Sequence, residues 1–157
     1  MQMSSLKYFM KEELKKDEVV EIPGTETFTD DNGKPVPFLL RKIGIEEMNK
    51  IRQNYTVKKQ ARNEKGKAIF DKLGNPVFIT EVDDSKVTNR LIVESLVQPN
   101  LKDQELMKFY GCVDVTEMPY KIFKKPSDYK YISNQVLLVN DLTEDKSDEE
   151  LVEEAKN

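Results

Sequence analysis

Histidine and tryptophan are absent from this chain of 157 residues, and cysteine occurs once, at Cys112. Without histidine there is no imidazole to serve as a general base, to activate a serine or cysteine nucleophile, or to ligate a transition metal. A single cysteine makes no disulfide within the chain and cannot complete a structural zinc site. A reducing cytoplasm is the natural setting for such a composition. No apolar run approaches the roughly 20 residues that a bilayer crossing needs. The first residues, MQMSSLKYFMKEELKK, lack the long apolar stretch and cleavage site of a secretion signal. Neither GxGxxG nor GxxxxGK[ST] occurs, so no phosphate loop is announced. Carboxylate pairs such as Glu46-Glu47 and Asp83-Asp84 are sequence neighbours, and neighbours on a helix point apart rather than forming an acid–base dyad. An enzyme is therefore the last class to expect, and no catalytic residue, cofactor or metal is assigned.

What the chain does have is charge, unevenly spread. The formal net charge is −4, yet Arg41–Lys72 holds ten basic and four acidic residues, while Asp141–Asn157 holds eight acidic and two basic. A basic middle and an acidic tail follow. The length suits one domain with a real core. We divide it into an N-terminal helical arm, 1–16, a single α+β domain, 17–140, and an acidic tail, 141–157, that is disordered when alone.

Within the arm, Ser4 or Ser5 can cap a helix over Leu6–Leu14, either packed on the domain or free to dock on a neighbour. Val19–Ile22 and Thr25–Phe28 read as extended segments. Asp30-Asp31-Asn32-Gly33-Lys34 is a hairpin turn leading into a strand at Val36–Arg41. A helix over Ile43–Tyr55 has Ile45, Met48, Ile51 or Arg52, and Tyr55 on one side. Val57–Ala61 and Ala68–Phe70 look like a second hairpin around the charged tip Arg62–Lys67, and Val77–Thr80 is extended. A core helix at Ser85–Val97 starts from Asp83 or Asp84. In the stretch QPNLKDQELMKFYG, Asn100 can cap a helix with Leu101, Leu106, Phe109 and Tyr110 on one side, and Gly111 can stop it. A short turn over Thr116–Lys124 follows. A last helix, capped by Ser127 or Asp128, runs to Val139 and ends at Asn140. Ser147 and Glu150 have capping-box spacing. No internal repeat is evident. The order gives an α+β fold, with a small antiparallel sheet of β-hairpins in the N-terminal half packed with a mainly helical C-terminal half.

Interaction surface is the remaining candidate for function. The cations of the second hairpin, Lys58, Lys59, Arg62, Lys65 and Lys67, fit a solvated ribbon better than a phosphate track, since aromatic interleaving is sparse. A third reading is contact with an acidic surface, including the tail of another copy. Tyr8, Phe9 and Met10 form an adaptable apolar patch that can bind a partner, although core packing explains the same residue types.

The stretch Gln98–Gly111 resembles the phage XkdN-like tail assembly chaperones. Phe38–Thr56, Lys125–Val139 and Glu149–Asn157 are similar to further segments of that family, in the same order along the chain. The resemblance implies a non-enzymatic chaperone of phage or prophage tails that binds and solubilises the tape measure protein. It implies action in the bacterial host cytoplasm and absence from the mature virion. The tail tube protein would be a later partner, with several copies bound along the client; from the residues themselves, the basic middle and acidic tail favour self-association, and neither nucleic acid nor membrane is expected as a partner. A structural tail or connector component retained in the particle is the alternative.

Overall fold

The computed structural model describes residues 6–10 and 18–142. The arm helix expected to Leu14 and the Ser147–Glu150 capping box lie partly or wholly outside these residues. The fold is α+β, as the element order implied.

Strands β1 (Val19–Ile22), β2 (Phe38–Arg41) and β5 (Leu96–Gln98) form an antiparallel sheet in the order β1-β2-β5. Strand β2 lies in the middle. Its Phe38 and Leu40 are buried, alternating with the partly exposed Leu39 and Arg41, as period-two geometry requires. Strands β3 (Thr56–Gln60) and β4 (Phe78–Val82) make a separate two-stranded ribbon. Among the described residues the α-helices from Ile45 onward are α1 (Ile45–Asn54), α2 (Asp84–Ser95), α3 (Gln104–Phe109), α4 (Met118–Ile122) and α5 (Pro126–Val139).

Helix α2 is the axis of the core. Asp83 accepts a hydrogen bond from the Lys86 N–H and so caps it. Leu91, Ile92, Val93, Glu94 and Ser95 are all buried, because α1, α4 and α5 pack around the helix. It also contributes a buried polar link. The Asn89 amide donates to the Thr116 carbonyl at 2.8 Å and accepts from the Tyr129 hydroxyl at 2.6 Å. A second cluster is aromatic. Phe28, Phe38 and Phe123 meet edge-to-face at centroid distances of 5.9–6.3 Å, the geometry that the ring quadrupoles favour.

Several expectations change in the structure. The apolar pair Leu96-Val97 leaves the helix and becomes β5. Pro99 disfavours helical backbone at Gln98, and the three residues gain more by pairing with the open edge of β2. Thr25–Phe28 is a turn, not a strand, with the Phe28 N–H on the Thr25 carbonyl. Gly24 sits tight against β2's approach, where a Cβ would overlap the Val36 carbonyl. Ile45 is exposed at the first turn of α1, and Ile51 is the buried residue of that helix. Helix α5 begins at Pro126 with Lys125 in the cap position, and neither Ser127 nor Asp128 caps it. The Asp128 carboxylate instead accepts the Thr27 hydroxyl at 2.6 Å, tying α5 to the turn after β1.

Candidate interaction surfaces

Helix α3, the heart of the Gln98–Gly111 stretch, starts later than expected. Asp103, not Asn100, is the cap and accepts the Leu106 N–H at 3.1 Å. The Asn100 side chain accepts from the Lys102 N–H and shapes the turn before it. The stop is as read. Gly111 has φ +63, the Cys112 N–H returns to the Met107 carbonyl and the Gly111 N–H to the Lys108 carbonyl. These two bonds close the helix end, and a left-handed residue is what they require. Because the helix starts at Gln104, Leu101 lies before it and does not share its phase. Met107 faces the core with Leu101, while Leu106 and Tyr110 pack against it. Phe109, expected inside, is 79% exposed, and Val113 beyond the stop is 96% exposed.

Two hollows flank this helix. One, of about 410 Å³, is lined by Asn100, Asp103, Glu105, Leu106 and Phe109. The other, of about 460 Å³, is lined by Gln104, Met107, Lys108, Gly111, Cys112 and Val113. Phe109 contributes to the first and Val113 to the second, so each hollow has an exposed apolar wall. The shelf is held from below by charge. Lys102, in the turn before α3, donates to Glu94 of α2 at 2.9 Å. Arg90 (2.8 Å) and Arg41 (3.4 Å) bind the same carboxylate, and Arg41 also meets Glu47 at 3.0 Å. Burial alone would raise the Glu94 pKa, but Lys102 and Arg90 outweigh it and hold the carboxyl below its ordinary value.

The second surface is the β3–β4 ribbon. Val57 expects a partner near Phe70 from the sequence, yet it pairs with Glu81. The hairpin closes through two successive turns rather than one. Asn63–Lys67 and Asp71–Asn75 each repeat the geometry of Asp30–Lys34. The first side chain accepts two main-chain N–H groups, two and four residues on, and the fourth residue is a glycine with φ +77, +79 or +81. This is a type I turn followed by a left-handed glycine, the usual three-residue hairpin connection. The stretches FTDDNGKPV, ARNEKGKAI and IFDKLGNPV carry it, so the chain does contain a short repeated turn unit. Between the turns, the N–H of Ala61 bonds the carbonyl of Val77, Val77 bonds Ile69, and Ile69 bonds Ala61, closing a ring of three main-chain bonds.

Both faces of the ribbon are accessible. On one, Val57 and Ile79 are each about half exposed beside the Lys59–Glu81 ion pair at 2.8 Å. On the other, the Lys58 ammonium lies 4.8 Å from the centre of the Phe78 ring. Lys58, Arg62, Lys65, Lys67 and Lys72 meet no carboxylate among the described residues.

Tyr8, Phe9 and Met10 are exposed in a local turn, where the N–H groups of Phe9 and Met10 return to the Leu6 carbonyl. Burial, with Asp114 and Glu117 adding to it, pushes the Cys112 pKa up, and its Sγ donates to the Asp114 carbonyl. No group of three or more potential metal ligands occurs among the described residues, and no helix there is long and apolar enough to cross a membrane.

The comparisons with known proteins agree with one another. The family model described as phage XkdN-like tail assembly chaperone protein matches residues 6–156. An uncharacterized protein, YqbN, of Bacillus subtilis strain 168 is 29% identical over 152 residues, covering 97% of this chain and 93% of YqbN. The phage-like element PBSX protein XkdN of the same organism is 25% identical over 152 residues, again 97% of this chain and 93% of XkdN. The crystal structure of YqbN superposes with a TM-score of 0.64 at 22% identity, over 85% of this chain and 92% of that one, and shows the same fold.

Proposed function

The chain belongs to the phage XkdN-like tail assembly chaperone family, and we propose that it is a non-enzymatic chaperone whose client is the tape measure protein. It acts in the host cytoplasm, keeps the long client soluble until the tail tube protein replaces it, and leaves before the particle is complete. The observation that carries this reading is the family match across nearly the whole chain. The α3 shelf supplies a physical means. Phe109 on α3 and Val113 just past its stop stand exposed beside open hollows, and the helix is fixed at both ends, which suits the apolar face of a client helix. Tyr8, Phe9 and Met10 add a second apolar contact that can repack.

Co-expression with the large helical protein of the same tail module tests the reading. The expected result is a soluble complex with several copies of this chain per client, when the client alone is insoluble. Recovery of this chain from purified particles, with no such complex, would overturn it in favour of a structural tail component.

A further inference from the structure

We propose that the β3–β4 ribbon is the docking site for the acidic C-terminal segment of a second copy of this chain, joining copies head to tail. The ribbon itself supplies the first argument. Thr56–Val82 carries six basic and three acidic residues, net +3, and Lys59 is the one cation of the six that meets a carboxylate among the described residues. Unpaired cations beside half-exposed Val57, Phe78 and Ile79 make a surface with charge and apolar area but no occupant. A two-stranded ribbon exposed on both faces gains stability from any partner that covers one of them.

The complementary element lies in the same chain. Residues 143–157, TEDKSDEELVEEAKN, hold seven acidic and two basic residues, net −5, with Leu151 and Val152 between the two glutamate pairs. That segment offers anionic groups for the unpaired Lys58 and aliphatic side chains for Phe78, two residues which share one face of the ribbon. The overall charge of −4 disfavours nucleic acid as the occupant, because the tail would compete with phosphate for the same cations.

Residues 143–157 extend to about 50 Å, enough to reach the ribbon of a neighbouring copy as well as their own, and sedimentation separates the two: a monomeric protein would assign the segment to its own ribbon. The tail departs beside the start of α1, where Asn140 holds the Ile43 N–H at 2.6 Å and Asp141 lies 3.7 Å from Lys42. The ribbon departs from the other end of α1, where the Asp83 N–H bonds the Tyr55 carbonyl. Ten helical residues, about 15 Å, separate the two ends. Passed from copy to copy, a tail-to-ribbon contact repeats along a row; exchanged reciprocally, it closes a pair. The inference does not depend on which client the row covers.

Two full-length variants test it. One neutralises the ribbon (Lys58→Gln, Lys65→Gln, Lys67→Gln). The other neutralises the tail (Glu149→Gln, Glu150→Gln, Glu153→Gln, Glu154→Gln). All are surface or tail changes, and circular dichroism checks that both variants remain folded. In sedimentation velocity the unmodified protein should form species larger than a monomer, weakening about tenfold or more from low salt to roughly 0.5 M. Each variant alone should be monomeric. Mixed, they should form a 1:1 pair and nothing larger, since one intact tail meets one intact ribbon. A monomeric unmodified protein, or folded variants that do not pair, would overturn the proposal. So would association that survives both sets of substitutions, or a ribbon whose neutralisation abolishes binding to a short DNA duplex and leaves self-association unchanged.

Discussion

The Asn140 carboxamide oxygen accepts the main-chain N–H of Ile43 at 2.6 Å, joining residues 97 apart in sequence. Its amide nitrogen donates to the Ser95 hydroxyl and to the Val136 carbonyl at 2.9 and 2.8 Å. One buried side chain thus caps the end of α5, fixes the entry to α1 and touches the last turn of α2. Asn140→Ala should leave the Ile43 N–H and the Ser95 hydroxyl unpaired in the core. A loss of about 2–4 kcal/mol is expected, read as a lower urea midpoint with an unchanged slope. A change within about 0.5 kcal/mol would show that water replaces all three bonds.

The charge cluster at Glu94 predicts acid sensitivity. Its carboxyl is held below the ordinary glutamate value of 4.5 in the folded protein. A depressed folded pKa contributes stability that is present above the unfolded pKa and lost as pH falls through the folded one. Stability should therefore fall as the pH drops below about 4.5, and Glu94→Gln should flatten that part of the curve while lowering stability at neutral pH. Because Lys102 precedes α3, the variant should also loosen the shelf, visible as faster amide exchange at Leu106 and Met107. Identical acid profiles for the variant and the unmodified protein would show that Glu94 is not the responsible group.

Tyr129 gives the alkaline counterpart. Burial raises its pKa to about 12, with Tyr120, whose ring centre lies 5.3 Å away, adding to the effect. A raised folded pKa contributes stability fully present below the unfolded value of 10 and lost as pH rises towards the folded value. Absorbance titration should show one tyrosine ionising near 12, and stability should decline between these two pH values. Tyr129→Phe should remove that late step and soften the decline. It should also cost stability at neutral pH, because the Asn89 carboxamide loses its donor.

Much of this fold was legible in the sequence where periodicity and punctuation agree. The α2 core, the Gly111 stop, the Asn140 end and the Asp30–Lys34 turn all rest on local chemistry that acts within a few residues. The misread elements are those decided by distant partners. Leu96-Val97 continues a helical pattern and turns into a strand because β2 offers an unpaired edge. Val57–Gln60 finds its partner about twenty residues on, since the intervening turns nest inside the hairpin. A signal for that nesting was present. Asn63 and Gly66, then Asp71 and Gly74, repeat the spacing of Asp30 and Gly33, and a search for the turn unit finds all three. The position of Phe109 was hidden by one residue's choice of cap. With the cap at Asp103 instead of Asn100, Leu101 stands before the helix and no longer sets its phase, and Met107 instead of Phe109 is the buried residue.

That exchange separates binding from folding on a single helix. Phe109 touches Tyr110 edge-on at 5.0 Å but is otherwise open to solvent, and Met107 is buried. Phe109→Gln keeps good helix propensity and removes little buried area, so stability should change by no more than about 0.5 kcal/mol. Met107→Gln buries an unpaired amide and should cost about 2 kcal/mol or more. If α3 is the client-binding shelf, Phe109→Gln together with Val113→Gln should weaken client capture about tenfold or more, as removal of a central aromatic anchor does. Met107→Gln should lower stability and capture together. A Phe109→Gln, Val113→Gln protein that solubilises the client as well as the unmodified chain would move the client site off α3. The corresponding change at Tyr8, Phe9 and Met10 would then decide whether the N-terminal patch carries the contact.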